Sequence, residues 1–280
     1  MEEHGKFVQF SPEAFLEEAI GIIQKAQAKG IYLRILGALA VYIHCEHCPQ
    51  YRDFFFSLGR LGEGKPIFTD LDVMGYSRQS PEVRKFLERE AGFKPDLYVN
   101  SLPWNAISRN IFHREGGYDV DVFYDRLNFS HPVEFGKIPG KGRLELDFPT
   151  ITLTDIVLEK LQIHFINKKD LIDLIVLFCG HELAEADEKE LINLAYIAKV
   201  LSNDWGFWYD AKANLEKVLS IAAEFHQNGK VTVGDFDLVA RKIAILTQRL
   251  ESEPKGKAWT LRARKGTKEP WYQDVEEVDR

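Results

Sequence analysis

Cysteine, methionine and long apolar runs are scarce in this sequence. It has three cysteines (Cys45, Cys48 and Cys179) and two methionines among 280 residues. So few thiols, odd in number, exclude a disulfide-stapled extracellular scaffold and favour a reducing compartment. No apolar run reaches the roughly 18 residues that cross a bilayer. The opening residues, MEEHGKF, lack the basic start and apolar stretch of a secretory signal, so we expect a cytoplasmic protein that does not contact membranes.

Positive charge is also in deficit. The formal net charge is −7, which excludes a general attraction of the whole protein to nucleic acid. A phosphate-bearing partner would have to be held by local basic residues. Hydrophobic residues at 45% and charged residues at 28% are typical of a globular protein, and 280 residues suit two modest domains better than one.

The pattern of secondary structure changes near Pro149. Before it, IYLRIL (31–36) is a predicted strand and residues 109–124 are a predicted hairpin with glycines in its loop. After it, helices are expected near residues 153–166, 168–179, 187–201, 208–227 and 235–250. We therefore predict an α/β (α+β) domain at 1–149, with a mixed sheet and flanking helices. An all-helical domain at 150–280 comes next and ends in a basic, aromatic tail.

Closely spaced aspartates stand on two predicted strands. In FTDLDVMG, Asp70 and Asp72 point to the same face because side chains repeat every second residue of a strand. The hairpin strand YDVDVFY carries Asp119 and Asp121, again on a common face. Magnesium prefers carboxylate oxygens, and two divalent ions about 3.5–4 Å apart can clamp the attacking and leaving oxygens of an in-line displacement. An adjacent strand that supplies a third acid would complete such a site.

The order of these motifs resembles a known superfamily. The succession LGALAVYIH, FTDLDVMG and VDVFYD is similar to the DNA-polymerase-beta-like nucleotidyltransferases. In that superfamily a strand, a glycine and a helix precede an Asp-x-Asp strand, and a later strand adds a third acid. The segment TLTDIVLEKLQIHFINKKDLIDLIVLF is similar to the Asp-xxxx-Lys and Asp-xx-Asp segments of the nucleotidyltransferases in abortive-infection toxin–antitoxin systems and their uncharacterised relatives. The resemblance covers most of the chain.

The resemblance implies a function and assigns residues to it. Asp70 and Asp72 match the metal pair, and Asp121 matches the third catalytic acid, with Asp119 as the alternative. The implied reaction transfers an NMP from an NTP to an unidentified acceptor hydroxyl on a protein, an RNA or a small molecule, with Mg²⁺ or Mn²⁺ as the cofactor. The positions assigned to nucleotide binding are Gly37, Ala38, Lys160, Asp170 and Asp173.

Two features depart from the superfamily pattern. Ala38 stands where the pattern has a second glycine or a serine, so it permits backbone contact with a triphosphate but supplies no hydroxyl. The stretch from Gly37 to Asp70 is long, which indicates an insertion around residues 45–66. Both features favour the alternative function, a catalytically degenerate binding module with the nucleotidyltransferase fold, as part of a toxin–antitoxin pair.

The charged residues of the first helical segments have alternative roles. Lys160 lies on the apolar stripe of its predicted helix, so it reaches either the surface or a phosphate site. Asp170 and Asp173 share a helical face and can pair with Lys160 or position the acceptor; a solvated helix start is the alternative. The sequence TLTD, which ends at Asp155, has the spacing of a capping box and favours a capping role for this aspartate.

Two further clusters leave alternatives open. His44, Cys45, His47 and Cys48 are packed more tightly than usual zinc ligands, and no second Cys/His pair with motif spacing follows. This pattern favours a helix end with partly buried thiols over a zinc site. Several lysines and arginines surround Trp259 in the tail. Such a mixture is typical both of binding to single-stranded nucleic acid and of a solvated hairpin that packs its tryptophan on the body.

Overall fold

A computed structural model describes residues 11–60, 68–102 and 108–274 of the chain. The opening residues, the second part of the predicted insertion (61–66) and the end of the tail (275–280) lie outside the described residues. The elements before residue 150 are, in chain order, α1 (Pro12–Gln27), β1 (Leu33–Ile35), α2 (Gly37–His44), α3 (Pro49–Arg52), α4 (Phe54–Ser57), β2 (Asp70–Gly75), α5 (Ser80–Arg89), β3 (Lys94–Pro95), α6 (Leu97–Ser101), β4 (Arg109–His113), β5 (Asp119–Tyr124), β6 (Arg126–Asn128) and β7 (Pro132–Glu134). The later elements are α7 (Leu153–Leu161), α8 (Lys168–Gly180), β8 (Glu182–Ala184), β9 (Leu191–Asn193), α9 (Leu194–Leu201), α10 (Trp205–Gln227), α11 (Val233–Ser252) and α12 (Lys257–Lys265).

The chain divides into two compact units. The first unit comprises Met1–Ile43, Glu63–Leu127 and Glu134–Thr152. The second unit comprises His44–Gly62, Asn128–Val133 and Leu153–Arg280. The last change of unit, between Thr152 and Leu153, falls near the predicted boundary at Pro149, while two earlier segments group with the C-terminal helices.

The first unit is built on a five-stranded mixed sheet. Its strand order is β1-β2-β5-β4-β3, with β2 parallel to β5 and the other neighbours antiparallel. The strands β4 and β5 form the predicted hairpin, and Gly116 in its loop has a φ of 67°, a conformation that glycine adopts without strain. The apolar residues that alternate with the aspartates of β2 and β5 are at most 1% exposed and are Leu71, Val73, Val120 and Val122. Because successive side chains of a strand point to opposite faces, these residues fill the face opposite the aspartates.

The first helix shows how local sequence sets the ends of the flanking elements. Ser11 caps α1, because its hydroxyl accepts a hydrogen bond from the amide of Ala14 at 3.2 Å. Gly30, with a φ of 74°, turns the chain after the helix toward β1. Phe15 of α1 is 3% exposed and packs edge-on against Tyr118, with ring centroids 4.6 Å apart. This packing holds α1 in the core of the first unit.

The second unit consists mainly of helices. Four of them begin after a residue whose side chain accepts a hydrogen bond from the amide three positions further on. These caps are Asn167 for α8, Asn193 for α9, Asp204 for α10 and Thr232 for α11. In the part of the chain that the structure describes, no helix is both long and apolar enough to cross a bilayer. The mixed sheet with flanking helices and the helical C-terminal region confirm the predicted fold class.

The predicted helix at 187–201 is wrong over its first part. Leu191–Asn193 is the strand β9, which pairs in parallel with β8, and α9 begins only at Leu194. The reason is a cap in the middle of the apolar run: the side chain of Asn193 accepts a hydrogen bond from the amide of Tyr196 at 2.9 Å. A helical pattern that crosses an asparagine of this kind therefore overstates the length of the helix.

The predicted helix at 153–166 is too long for a different reason. It ends at Leu161, and the side-chain amide of Asn214 on α10 donates hydrogen bonds to the carbonyl oxygens of Leu161 at 3.1 Å and Ile163 at 2.7 Å. This contact comes from a distant part of the sequence, so local periodicity does not reveal it. Asp155, whose spacing from Thr152 favours a capping role, lies in the first turn of α7 and is fully buried.

Over its described residues, the tail does not form a hairpin, which was one of the two alternatives for its basic and aromatic residues. Residues Lys257–Lys265 form the helix α12, which begins after Gly256 and ends at Gly266, where φ is 56°. Trp259 packs edge-on against Trp208 of α10, with ring centroids 5.2 Å apart. The expected packing of this tryptophan on the body is therefore present, but on a helical scaffold.

Candidate metal and nucleotide site

Asp70, Asp72 and Asp121, here called the aspartate triad, come together on the sheet of the first unit. One carboxylate oxygen of each residue lies within 4.8 Å of the others. The cause is strand register: β2 and β5 are parallel neighbours with Asp72 opposite Asp121, so both side chains leave the sheet on the same face. Asp70 and Asp72 are half-buried, whereas Asp121 is 3% exposed. The structure thus assembles the three predicted acids, and metal binding by them stays a prediction.

Asp119, the alternative third acid, has another partner. It lies opposite Asp70 in the strand register, but its Oδ1 is 2.7 Å from Nδ1 of His113. The other ring nitrogen of His113 lies 3.1 Å from the carboxylate of Asp96. Burial lowers the pKa of His113, but these two carboxylates outweigh it and raise the pKa above its ordinary value. The geometry therefore favours Asp121 over Asp119 as the third acid.

An arginine that sequence analysis missed contacts the aspartate triad. Nη2 of Arg109, on β4, lies 2.5 Å from Oδ2 of Asp121, and its guanidinium carbon lies 5.2 Å from the ring centroid of Phe123. Such a charge-assisted hydrogen bond offsets part of the negative charge of the triad. The hairpin register places Arg109 opposite Phe123, and Asp121 stands two residues before Phe123 on the same strand. Arg109 and Asp121 are therefore diagonal neighbours on one face of the hairpin, which is the signal that could have identified this contact.

Gly37 and Ala38 lie at the junction of β1 and α2, beside the strand that carries two of the acids. Gly37 has a φ of 69°, which glycine adopts without strain. The amide of Leu36 donates a hydrogen bond to the backbone oxygen of Asp72 at 3.1 Å. This bond ties the start of α2 to β2. The predicted triphosphate position therefore adjoins the predicted metal position, as backbone binding of phosphate at a helix start requires.

Lys160, Asp170 and Asp173 also come together, as a charged cluster in the second unit. Nζ of Lys160 lies 2.9 Å from Asp170 and 3.3 Å from Asp173, and 3.1 Å from a fourth member, Glu159. Lys160 is 5% exposed, so it does not reach the surface. Burial lowers the pKa of Lys160, but the three carboxylates raise it well above its ordinary value. The ammonium is therefore charged inside the protein.

Arg60 completes this group, which we call the lysine cluster. Its Nε and Nη2 donate to the two carboxylate oxygens of Asp173 at 2.6 and 3.0 Å. Burial raises the pKa of Asp173, but Lys160 and Arg60 lower it overall. The alternative of a solvated helix start is wrong for Asp170, which is 8% exposed. Two cations thus face three carboxylates, and nucleotide binding by Lys160, Asp170 and Asp173 stays a prediction.

Comparison with known proteins adds one distant likeness. No family model and no curated protein matches this chain. A crystal structure of an antigenic nucleotidyltransferase-like protein from Paracoccidioides brasiliensis aligns with 89% of this chain and 97% of its own, at 12% sequence identity and a TM-score of 0.38. At that TM-score the likeness supports no conclusion about function, so the function must be inferred from the geometry of the residues themselves.

Proposed function

We propose that this protein is a metal-dependent nucleotidyltransferase. It would transfer an NMP from an NTP to an acceptor hydroxyl on a protein, an RNA or a small molecule and release pyrophosphate. The observation that carries the proposal is the approach of Asp70, Asp72 and Asp121 to within 4.8 Å of one another on two parallel strands. Acidic groups often cluster without a ligand, so the junction at Gly37 beside the same strand is the second support.

The donor set of the aspartate triad fits a hard divalent cation. Three carboxylates offer oxygen ligands, the type that Mg²⁺ and Mn²⁺ prefer, and water and phosphate oxygens complete the coordination of such ions. When bound, these ions supply neutralisation of the triphosphate and of the charge that develops during transfer. Asp70 and Asp72 are half-buried, which leaves this part of the site open to solvent and to a charged substrate.

The protein's own residues would divide the work between proton transfer and phosphate binding. Asp121 would complete the metal site and help to accept the proton of the acceptor hydroxyl. The backbone at Gly37 and Ala38 would support the triphosphate through amides at the start of α2. In the second unit, Lys160 would bind a phosphate group only by exchanging one of its carboxylate partners, Asp170 or Asp173, for that phosphate.

A second candidate is a binding module that keeps the fold without catalysis, within a toxin–antitoxin pair. The observation that favours it is the contact of Arg109 with Asp121 at 2.5 Å, because an arginine that holds this carboxylate competes with a metal for it. Ala38, which has no hydroxyl, favours the same interpretation. The two candidates differ in whether bound nucleotide is turned over.

A transfer assay separates the two candidates. The full chain is incubated with each of the four NTPs, labelled at the α-phosphate, and Mg²⁺ or Mn²⁺, in the presence of cell protein, cell RNA or the chain alone. We expect label on one acceptor class with the wild type, and at least roughly 100-fold less with Asp70→Asn/Asp72→Asn, the size of effect that loss of transition-state charge stabilisation produces. Magnesium-dependent nucleotide binding without transfer to any acceptor would support the binding module instead.

A further inference from the structure

A second set of side chains that can serve as metal ligands lies in the second unit. It consists of two thiols and an imidazole rather than carboxylates. Cys45 and Cys48 belong to the turn after α2, and His181 directly follows α8. Their ligand atoms lie within 4.8 Å of one another, and Sγ of Cys45 is 3.8 Å from Nε2 of His181. All three are at most 5% exposed. We call them the thiol–histidine cluster; His181 is 136 residues downstream of Cys45, which is why motif spacing does not reveal it.

The ring of His181 is held in the orientation of a metal ligand. Its Nδ1 lies 3.3 Å from the backbone oxygen of Glu190. A carbonyl oxygen only accepts, so Nδ1 must carry the proton, and the lone pair of Nε2 is directed toward Cys45. A ligand histidine almost always donates its other nitrogen in this manner.

Two backbone features accompany the thiol–histidine cluster. A Cβ on Gly180 would lie 2.9 Å from Sγ of Cys48, too close for an unshifted side chain, so glycine leaves room for this thiol beside the backbone. Glu190 has a φ of 60°, a strained value for a residue with a side chain, and such strain is common at functional sites. The backbone oxygen of this strained residue is the one that orients His181.

We propose that Cys45, Cys48 and His181 bind a zinc ion. Thiolate and imidazole are the ligands that zinc prefers. The His and Cys residues of 44–48 taken together are packed more tightly than usual zinc ligands, but Cys45 and Cys48 alone form Cys-x-x-Cys, a usual spacing for two ligands. Tetrahedral zinc with its standard bond lengths places sulfur and nitrogen ligands about 3.6 Å apart, close to the 3.8 Å between Cys45 and His181. On binding, each thiol loses its proton to solvent. His47, which is exposed, lies nearby, with its ring centroid 5.1 Å from that of His181.

The site would have a structural role. It joins the turn at Cys45 to the end of α8, and both belong to the second unit. Lys242 of α11 adds to this joint, because its Nζ donates a hydrogen bond to the backbone oxygen of His181 at 2.7 Å. A ligand that binds only the folded state stabilises that state. Removal of the zinc ion should therefore lower the melting temperature of the protein. This inference does not depend on the proposed transferase activity.

Metal content and cobalt spectra test the proposal. The full chain is produced in zinc-supplemented medium with reductant, and its zinc is measured by elemental analysis. We expect one equivalent per chain in the wild type, loss of that zinc in Cys45→Ser and His181→Gln, and no loss in Cys179→Ser. Cys179 is the matched control, because it is a buried thiol outside the cluster. Titration of the metal-free wild type with Co²⁺ should give thiolate-to-cobalt charge-transfer absorption and tetrahedral d–d bands.

The cobalt titration needs no variant, so it is decisive even where a substitution prevents folding. Absence of a thiolate-to-cobalt band together with substoichiometric zinc in the wild type would overturn the proposal. Loss of zinc in Cys179→Ser as large as in Cys45→Ser would overturn it too, since the ion would then be bound elsewhere. A Cys45–Cys48 disulfide in the zinc-supplemented, reduced protein would have the same consequence.

Discussion

The aspartate triad and the lysine cluster each contain three carboxylates but differ in their counter-charge. In the lysine cluster the buried ammonium of Lys160 contacts all three carboxylates, and the guanidinium of Arg60 also binds one of them, Asp173. In the aspartate triad Arg109 contacts one member, Asp121, and the other two acids are half-buried on a strand face. A count of acidic residues therefore does not predict a metal site. The position of the nearest cations decides between an internal ion network and a site suited to a cation from solution.

The largest expected effect concerns the lysine cluster. Lys160→Met should lower the free energy of unfolding by about 3–5 kcal/mol, because it leaves buried carboxylates without their main cation. Urea unfolding of the full chain measures this change. Lys169→Met is the matched control: this lysine is exposed on the same helix as Asp170, and its substitution should change stability by less than about 0.5 kcal/mol. Equal stability of Lys160→Met and the wild type would show that the cluster contributes nothing.

The pH dependence of the stability lost in Lys160→Met follows from the shifted pKa values of Asp173 and Lys160. The pKa of Asp173 is lowered from 3.8, so its contribution is fully present above pH 3.8 and is lost as the pH falls through the lower folded value. The pKa of Lys160 is raised above 10.5, so its contribution is fully present below pH 10.5 and is lost only at more alkaline pH. The stability difference between wild type and Lys160→Met should therefore be flat near neutral pH and shrink below about pH 4. A difference that grows in acid would contradict this network.

The next effect concerns the aspartate triad. Asp70→Asn and Asp72→Asn should each abolish metal-dependent nucleotide binding while leaving the melting temperature unchanged or slightly higher, because crowded carboxylates repel when no metal is bound. Asp121→Asn should differ. It weakens the bond to Arg109 and should cost about 1–3 kcal/mol of stability, the usual cost of disrupting a hydrogen bond to a charged group. Thermal unfolding without metal compares the three variants, and equal melting temperatures would show that the contact with Arg109 does not stabilise the fold.

Arg109→Gln tests whether the arginine competes with a metal ion for Asp121. It removes the cation that competes for Asp121, so we expect the affinity of the protein for Mn²⁺ to rise severalfold, as measured by calorimetry. Arg126→Gln is the control, because Arg126 is exposed and pairs with Glu134 rather than with the triad. A lower Mn²⁺ affinity in Arg109→Gln would mean that the arginine orients Asp121 for the metal instead of competing with it.

The smallest effect is expected from Asp119→Asn. This aspartate is held by His113, so its loss should reduce nucleotide transfer or binding less than loss of Asp121 does. Parallel assays of the two variants provide the comparison. A larger loss in Asp119→Asn would show that the third acid has been assigned to the wrong residue of the hairpin.

Sequence alone predicted the features that depend on local pattern. The alternation of FTDLDVMG predicted that Asp70 and Asp72 share one face, and the family resemblance assigned Asp121, which the structure places on the neighbouring strand. Helical spacing also predicted that Asp170 and Asp173 share a face of their helix, and both pair with Lys160 of the preceding helix. These predictions succeed because the period of side chains along one strand or one helix decides which residues share a face.

Features that depend on contacts between distant parts of the sequence were not predictable. Arg60, which binds Asp173, is 113 residues away from it, and His181 lies still further from Cys45. The end of α7 is set by Asn214 of α10 rather than by a signal in its own sequence. Only the folded chain brings these groups together, so patterns of residue spacing do not contain them.

Calorimetry of nucleotide binding tests the central claim about the aspartate triad most directly. ATP, GTP, CTP and UTP are titrated into the full chain with and without Mg²⁺, and into Asp70→Asn/Asp72→Asn. We predict that at least one NTP binds the wild type, more tightly with Mg²⁺ than without it, because phosphate oxygens complete the coordination of the ion. The double variant should lose this dependence on Mg²⁺. Failure of all four NTPs to bind, or equal Mg²⁺-dependent binding by the double variant, would contradict a metal site at Asp70, Asp72 and Asp121.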